Sequence, residues 1–310
     1  FNFSLLAQMC HQEFKKRFSR QTVRRWAIRE KLFIPEIHST AKALRRFDVG
    51  SIGELFQHDS SPHLWVPSTL RTDVLVLTID DHSRKIVGAR LVPRDTSFHH
   101  LCVVRQTLET YGRPIAYYTD NHMIFQPSTD LHAQFSRALE ALDIDARLAG
   151  KGQPQAKGKV EKRFDYLQRR IPYLCERYHI KNLTAANKIL DQEVAYFNDC
   201  HVHAETKETP NQRWKRALQE GRCHLRDLPA TVQLDLIFGL HETRSLKKDG
   251  SFVFGGTRFE IPRGPRYGDV TVVLHPPFGR RTHTQLSVLW KNQCLRQWIR
   301  PAGSLTWRLL

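Results

Sequence analysis

The sequence predicts a mixed α/β core, with a short helical segment before it and a small β-rich domain after it. Three observations support this architecture. Strand and helix patterns alternate from Gly53 onward, apolar residues at helical spacing precede them, and five short β patterns follow Leu225. A chain of 310 residues is long for one compact domain, so two or three modules are expected. We therefore divide the chain into a helical segment 1–34, a basic linker 35–52, the α/β core 53–225 and a β domain 226–310.

Two helices are predicted at the start, joined by the basic turn 15–18. The first is amphipathic, and Ser19 is placed to cap the second, which runs from Arg20 to Lys31. The second helix presents Arg20, Gln21, Arg24 and Arg25. This pair is similar to a helix-turn-helix, whose second helix reaches base edges with its N-terminal residues. The alternative is a packed hairpin with a solvated arginine face. Because the chain opens within a helical pattern, we expect a further N-terminal piece before it.

The core pattern supplies strands and the helices that cover them. Asp73–Asp80 and Lys85–Val92 predict a hairpin, and Ser97 is expected to cap a helix that ends near Tyr111. Further patterns predict a helix over 130–142, a strand over 144–148 and a helix over 184–198. We interpret Asp80, which ends a strand, as a turn-shaping residue.

Two strand patterns each end on an aspartate. In the stretch 53–63 an apolar run delivers Asp59 into a Ser/Pro turn, and in 113–122 a strand pattern ends on Asp120. The C-terminal ends of strands are where an open α/β sheet places its ligand crevice. Both carboxylates are therefore expected at one site.

A third carboxylate opens a basic amphipathic helix after the loop 150–158. Val160, Phe164, Leu167 and Ile171 recur on one face, and Glu161 lies on its shoulder. Seven cations surround Glu161 in sequence: Lys151, Lys157, Lys159, Lys162, Arg163, Arg169 and Arg170. A metal ligand in such surroundings suits a polyanion whose phosphates are handled by a metal ion. The alternative is that Glu161 merely pairs with lysines on a solvated helix.

The three stretches together resemble the Asp-Asp-Glu transposases and integrases of the retroviral-integrase superfamily, in particular bacterial insertion-sequence transposases. The resemblance rests on Gly-Glu-Leu-Phe-Gln-His-Asp59-Ser-Ser-Pro-His, Tyr-Thr-Asp120-Asn-His and Pro-Gln-Ala-Lys-Gly-Lys-Val-Glu161. It implies that Asp59, Asp120 and Glu161 are catalytic and hold two Mg²⁺ (or Mn²⁺) ions. It also implies a ribonuclease H-like core, a mixed five-stranded sheet with flanking helices, followed by a small SH3-like β-barrel. Two features depart from the pattern: a long interval between Asp120 and Glu161, and Asn121 where relatives often have Lys.

Composition points to nucleic acid as the partner. The formal charge is +17 and the isoelectric point is about 9.9, which favours a polyanion over an acidic small substrate. No apolar run approaches the ~20 residues of a membrane helix. Six scattered cysteines suit a reducing compartment, so we expect a cytoplasmic protein. The resemblance implies a bacterial, nucleoid-associated one. The resemblance implies element terminal inverted repeats and target DNA as partners, and a homo-oligomer in the synaptic complex.

The loop before Glu161 is expected to contact the terminal nucleotides through Gln153, Gln155, Lys157 and Lys159. The alternative is that the glutamines order the loop and the lysines balance Glu161. The function expected from the whole is a DNA transposase that cleaves at a 3′ end and joins that end to target DNA. A catalytically idle DNA-binding regulator derived from a transposase and a simple ribonuclease H-like nuclease are the alternatives.

Overall fold

The computed structural model describes residues 2–33, 49–119, 130–148, 158–204, 206–261, 264–277, 283–291 and 293–301. Its centre is a five-stranded sheet in the order β3-β2-β1-β4-β5. The first three strands pair antiparallel, whereas β4 runs parallel to both β1 and β5. The strands are β1 (Leu55–His63), β2 (Asp73–Asp80), β3 (Ile86–Val92), β4 (Ala116–Thr119) and β5 (Asp145–Leu148). The predicted mixed five-stranded sheet with flanking helices is confirmed.

Helices cover both faces of this sheet because β2 is apolar on both sides. Val74 and Val76 point to one face and pack on α3 (Ser97–Tyr111), which lies beside α4 (Asp130–Glu140). Leu75, Leu77 and Ile79 point to the other face, where they pack on α5 (Gly158–Gln168), α6 (Ile171–Arg177) and α7 (Leu183–Cys200). The helix α8 (Pro210–Gln219) follows and packs on α7.

Two details of the predicted helices are wrong. The N-cap of α3 is Thr96, whose hydroxyl accepts the His99 backbone N–H, whereas Ser97 is the first helical residue. The helix that carries Glu161 is also shorter than its apolar pattern suggested. It ends at Gln168, and Ile171 begins α6 after two non-helical residues, although the side chains of both segments share one core.

The N-terminal segment is a helical pair, α1 (Phe3–Phe14) and α2 (Arg20–Arg29). The Ser19 hydroxyl accepts the Thr22 N–H, which confirms the predicted cap. Val23 and Ala27 of α2 pack on Phe3 and Ala7 of α1. Within the described part of the chain, none of the helices has the length and apolar character that a membrane span requires.

The α1 helix also docks on the core. Its Leu5 and Met9 pack on Leu174 of α6, and its Gln8 accepts a hydrogen bond from Arg170. Arg170 is fully buried and forms a 2.5 Å ion pair with Glu193 of α7. The helical pair is thereby held against α6 and α7, which pack with α5 on one face of the sheet.

The C-terminal segment contains six strands after the short helix α9 (Leu234–Ile237). They are β6 (Leu240–Ser245), β7 (Ser251–Phe254), β8 (Thr257–Glu260), β9 (Asp269–His275), β10 (His283–Trp290) and β11 (Gln293–Pro301). Sequence patterns predicted five of these and missed β6. Four of them form a sheet in the order β11-β10-β9-β6, and β7 pairs with β8 as a hairpin. The SH3-like barrel stays a prediction, because the pairing of the described strands leaves the hairpin separate from that sheet.

The C-terminal segment packs on the α3/α4 face. Gln134 of α4 exchanges two hydrogen bonds with the backbone of His241, and Arg137 donates to the carbonyls of Ile237 and Gly239. The apolar core is continuous across this contact. The predicted segment boundaries stay an interpretation of the sequence.

Candidate active site

Asp59 lies in the middle of β1, not in a turn at its end. The strand continues through Pro62 to His63, and Asp59 stands opposite Leu77 of β2. The prediction of a Ser/Pro turn is therefore wrong. Proline at position 62 fits a strand edge, since within the described residues the pairing of β1 with β4 stops at His58.

The described parallel part of the sheet lies directly before both predicted aspartates in the chain. The last described pair between β1 and β4 joins His58 to Thr119. Asp59 follows the first of these residues in the chain and Asp120 follows the second. Asp120 itself lies outside the described residues, and so do Gln153, Gln155 and Lys157.

Asp59 shares its face of the sheet with Gln57 and Ser61, because side chains alternate along a strand. Residues paired across an antiparallel ladder lie on the same face, and the partner of Asp59 is Leu77. Leu77 belongs to the cluster that contains Val160 and Phe164 of α5. Asp59 therefore lies on the face that α5 covers.

The α5 helix is tied to β1 near both of its ends. At its start the Lys159 ammonium contacts Asp81 at 2.5 Å, and the Gln57 amide donates to the same carboxylate at 2.5 Å. At its end the Gln168 amide donates to the Ser61 hydroxyl at 3.0 Å. From position 159 to 168 the helix rises ~13.5 Å, and the strand from 57 to 61 spans ~13 Å, so the two elements run side by side.

This alignment sets the level of Glu161. Two helical residues beyond Lys159 correspond to a rise of ~3 Å, or about one strand residue beyond Gln57. Glu161 lies in the first turn of α5 and is exposed, whereas its neighbour Val160 is buried. By this alignment Glu161 lies about one strand residue, or ~3 Å, from the level of Asp59 on the facing element.

Lys159 is engaged inside the protein. Its side chain is 12% exposed and its partner Asp81 is completely buried. Asp81 also receives the Val49 backbone N–H at 3.3 Å and lies 3.5 Å from the Arg84 guanidinium. Sequence reasoning missed Asp81 and Gln57 as parts of this region, although Gln57 stands in the quoted motif.

Asp80, the neighbouring carboxyl, shapes the turn as predicted. It accepts hydrogen bonds from the Ser83 N–H and hydroxyl and from the Gly53 N–H. Burial raises the pKa of Asp80 to about 6, although these hydrogen bonds act in the opposite direction. Arg163 on α5 is also structural, since its buried guanidinium lies over the Phe197 ring and burial lowers its pKa to about 10.

The predicted DNA-contacting face of α2 is accessible. Arg20, Gln21, Arg24 and Arg25 are all exposed, while the opposite face of the helix packs on α1. Arg20 lines a cleft with Tyr196 and Cys200 of α7, so this face adjoins the core. Arg24 lies over the ring of Phe33 at 5.8 Å.

The predicted carboxylates on β1 and α5 are of a type that suits a hard divalent cation. Asp59 and Glu161 offer oxygen ligands only, as Mg²⁺ prefers. Within the described ranges, no group of three His, Cys, Asp or Glu side chains forms a metal site. The described pair needs at least one further oxygen ligand, and the predicted third carboxylate belongs to Asp120.

Comparison with known proteins relates about half of the chain to transposases. The chain is 36% identical over 156 residues to the transposase for insertion sequence IS1202 of Streptococcus pneumoniae, which is 47% of this chain and 32% of that protein. It is 30% identical over 159 residues to the putative transposase y4bF of Sinorhizobium fredii, which is 49% of this chain and 34% of that protein. The chain thus spans about a third of the length of these relatives. No protein-family model matches it.

Among solved structures the chain is similar to retroviral integrases at low sequence identity. The catalytic core domain of HTLV-2 integrase, solved with magnesium in a trimeric form, superposes with a TM-score of 0.41 and 16% identity, over 52% of this chain and 95% of that one. The simian T-cell lymphotropic virus intasome, solved in complex with the PP2A regulatory subunit B56 gamma, gives a TM-score of 0.45 and 17% identity, over 87% and 84% of the two chains.

Proposed function

Because this chain is a homologue of the transposases of insertion sequences, we propose that it is a DNA transposase that cuts at element ends and joins the freed 3′ end to target DNA. The observation that supports the proposal is that the elements carrying Asp59 and Glu161, β1 and α5, are joined by the Lys159–Asp81 ion pair and by the hydrogen bonds of Gln57 and Gln168. The transposase homologues support the reaction class.

The carboxylates Asp59, Asp120 and Glu161 would hold the metal ions, two Mg²⁺ or Mn²⁺ per site. Binding DNA alone does not call for three carboxylates, because they repel phosphates in the absence of a cation. When bound, Mg²⁺ supplies Lewis-acid stabilisation of the charge that develops on phosphate oxygens during an in-line displacement. The role of the protein is to hold Asp59 on β1 and Glu161 on α5, so that the spacing of these two carboxylates does not change when DNA binds.

The surrounding surface is suited to a DNA backbone. The excess of cations gives a net charge of +17, and the described face of α2 exposes three arginines. We propose that Arg20, Gln21, Arg24 and Arg25 read the element ends in the manner of a helix-turn-helix. Gln153, Gln155 and Lys157 are proposed to contact the terminal nucleotides, and two copies or more would bring the ends together.

The experiment is strand transfer with the full chain, cognate element ends and Mg²⁺. Asp59→Asn, Asp120→Asn and Glu161→Gln should each abolish cleavage and joining and leave end binding largely intact, because each removes a ligand charge and hardly alters shape. Asp165→Asn is the matched control, since Asp165 is an exposed carboxylate on α5 that pairs with Arg169. A chain that binds element ends but never forms joined products would instead be the idle regulator.

A further inference from the structure

Within the described residues, the sheet holds Asp59 from the β2 side. Its strand pairs with β2 from Phe56 to His63, and the described pairing with β4 ends at His58. A strand that carries a metal ligand needs a constraint beyond its ladder, because strands twist about their own axis. The residues on either side of Asp59 supply that constraint.

His58 and Ser60 both lead to Asp95 on the opposite face of the sheet. The Ser60 hydroxyl donates to Asp95 Oδ2 at 2.8 Å. The His100 Nε2 lies 2.6 Å from Asp95 Oδ1, and the His100 Nδ1 lies 2.8 Å from the His58 Nε2. One carboxylate thus holds both neighbours of Asp59, and the backbone through Asp59 closes the ring.

The two imidazoles of the ring are buried, whereas Ser60 and Asp95 are half-buried. His58 and His100 are 1% and 0% exposed. The remaining ring nitrogen of His58 lies 2.8 Å from the Thr78 hydroxyl of β2, so each imidazole is fixed at two points. His58 also stacks on Phe135 of α4, with ring centroids 5.3 Å apart. Buried polar groups that are fully hydrogen-bonded specify one arrangement of the surrounding core.

We propose that Asp95 is a positioning residue for Asp59. Through Ser60 and His100 it fixes the segment of β1 that presents the Asp59 carboxylate to α5. This inference rests on the proposed function, in which Asp59 is a metal ligand. In this role Asp95, His100 and Ser60 lie on the face of the sheet opposite Asp59 and contact neither metal nor DNA. Groups that hydrogen-bond a metal ligand directly affect metal affinity about 10–100-fold when they are replaced, and Asp95 acts through the neighbours of the ligand, so we expect the lower end of that range.

The test measures Mn²⁺ affinity of the full chain by the electron paramagnetic resonance signal of free Mn²⁺, beside a thermal melt. Asp95→Ala should raise the Mn²⁺ dissociation constant about tenfold or more. Asp95→Asn keeps an acceptor for His100 and should restore most of the affinity. Glu109→Ala is the matched control, because Glu109 is a carboxylate on α3 that pairs with Arg105 away from β1. It should leave Mn²⁺ affinity at the wild-type value.

Ser60→Ala removes the hydrogen bond from the Ser60 hydroxyl to Asp95 without opening a large cavity. It therefore tests the positioning role of Asp95 even if Asp95→Ala does not fold. It should weaken Mn²⁺ binding while the melting temperature stays near that of the wild type. If Asp95→Ala and Ser60→Ala both fold and bind Mn²⁺ with wild-type affinity, while Asp59→Asn binds it much more weakly, the positioning role is wrong and the proposed function is unaffected. If Asp59→Asn itself binds Mn²⁺ normally, the proposed metal site is wrong and the positioning role fails with it.

Discussion

Replacement of Lys159 by Met separates a structural role of this lysine from a role on DNA. The sequence suggested that Lys159 contacts phosphate, whereas its ammonium lies 2.5 Å from the buried carboxylate of Asp81. Without Lys159, Asp81 keeps the Gln57 amide, the Val49 N–H and the Arg84 guanidinium at 3.5 Å. The substitution therefore removes the shorter of the two described ion pairs of this buried carboxylate and leaves the one with Arg84 at 3.5 Å.

The expected cost follows from that geometry. Removing one partner of a buried ion pair costs about 3–5 kcal/mol, and we place Lys159→Met near 3 kcal/mol because Arg84 remains. At 2–4 °C per kcal/mol this lowers the melting temperature by roughly 6–12 °C. Adding Asp81→Asn to Lys159→Met should recover part of the loss, since the buried charge at position 81 is then removed. Circular dichroism melts of the two single variants and the double variant measure these terms.

Lys162→Met is the matched control, because Lys162 is an exposed lysine on the same helix. It should leave the melting temperature within about 1 °C of the wild type, as surface substitutions usually do. A salt titration of DNA binding completes the test. If Lys159→Met melts like the wild type and lowers the slope of log affinity against log salt by about one, Lys159 contacts phosphate and the ion pair with Asp81 has no structural weight.

Three further predictions concern other parts of the chain. Arg24→Ala should narrow the gap in affinity between cognate and scrambled ends by about 1–3 kcal/mol, and an unchanged ratio would move base recognition away from α2. Lys157→Ala should lower the salt slope by about one with no change in the melting temperature, the opposite of Lys159→Met. Burial and nearby Arg137 lower the pKa of His241 to about 4, so this residue favours the folded state above pH 6.5 and that contribution is lost as pH falls towards 4. Melts of His241→Gln between pH 7 and 4 should therefore decline less steeply than those of the wild type, and parallel curves would contradict the assignment.

Local patterns in the sequence predicted most of the core. The run Asp73–Asp80 is apolar and β-branched, and it forms β2 with those bounds. The i, i+4 and i+7 spacing of Val160, Phe164 and Leu167 predicted one buried helix face, and all three are buried in one cluster. The six-residue strand β6 was missed, because in Leu-His-Glu-Thr-Arg-Ser only the first residue is strongly apolar. It is held by pairing with β9, which no local pattern reveals.

The tethers around the candidate site could not be predicted in the same way. Lys159 and Asp81 are 78 residues apart, and His58 and His100 are 42 apart, so only the folded topology brings them together. From the sequence alone, a lysine close to a glutamate, such as Lys159, is expected to face solvent or DNA. In the fold, the first residues of α5 lie near the β2–β3 turn, where Lys159 forms its ion pair with the buried Asp81.

The two faces of β1 explain why a carboxylate is usable at this point of the sheet. On the face of Gln57 and Ser61, hydrogen bonds and an ion pair fix the start and end of α5, and with them the level of Glu161. On the other face, the ring through Asp95 fixes the strand itself. Between them the described pairing with β4 has ended, so the edge of β1 at Asp59 carries no ladder partner in the described sheet. A strand held from both faces can keep the Asp59 carboxylate in one place without rearrangement of the core, and the proposed in-line transfer at a metal site would require such a fixed ligand.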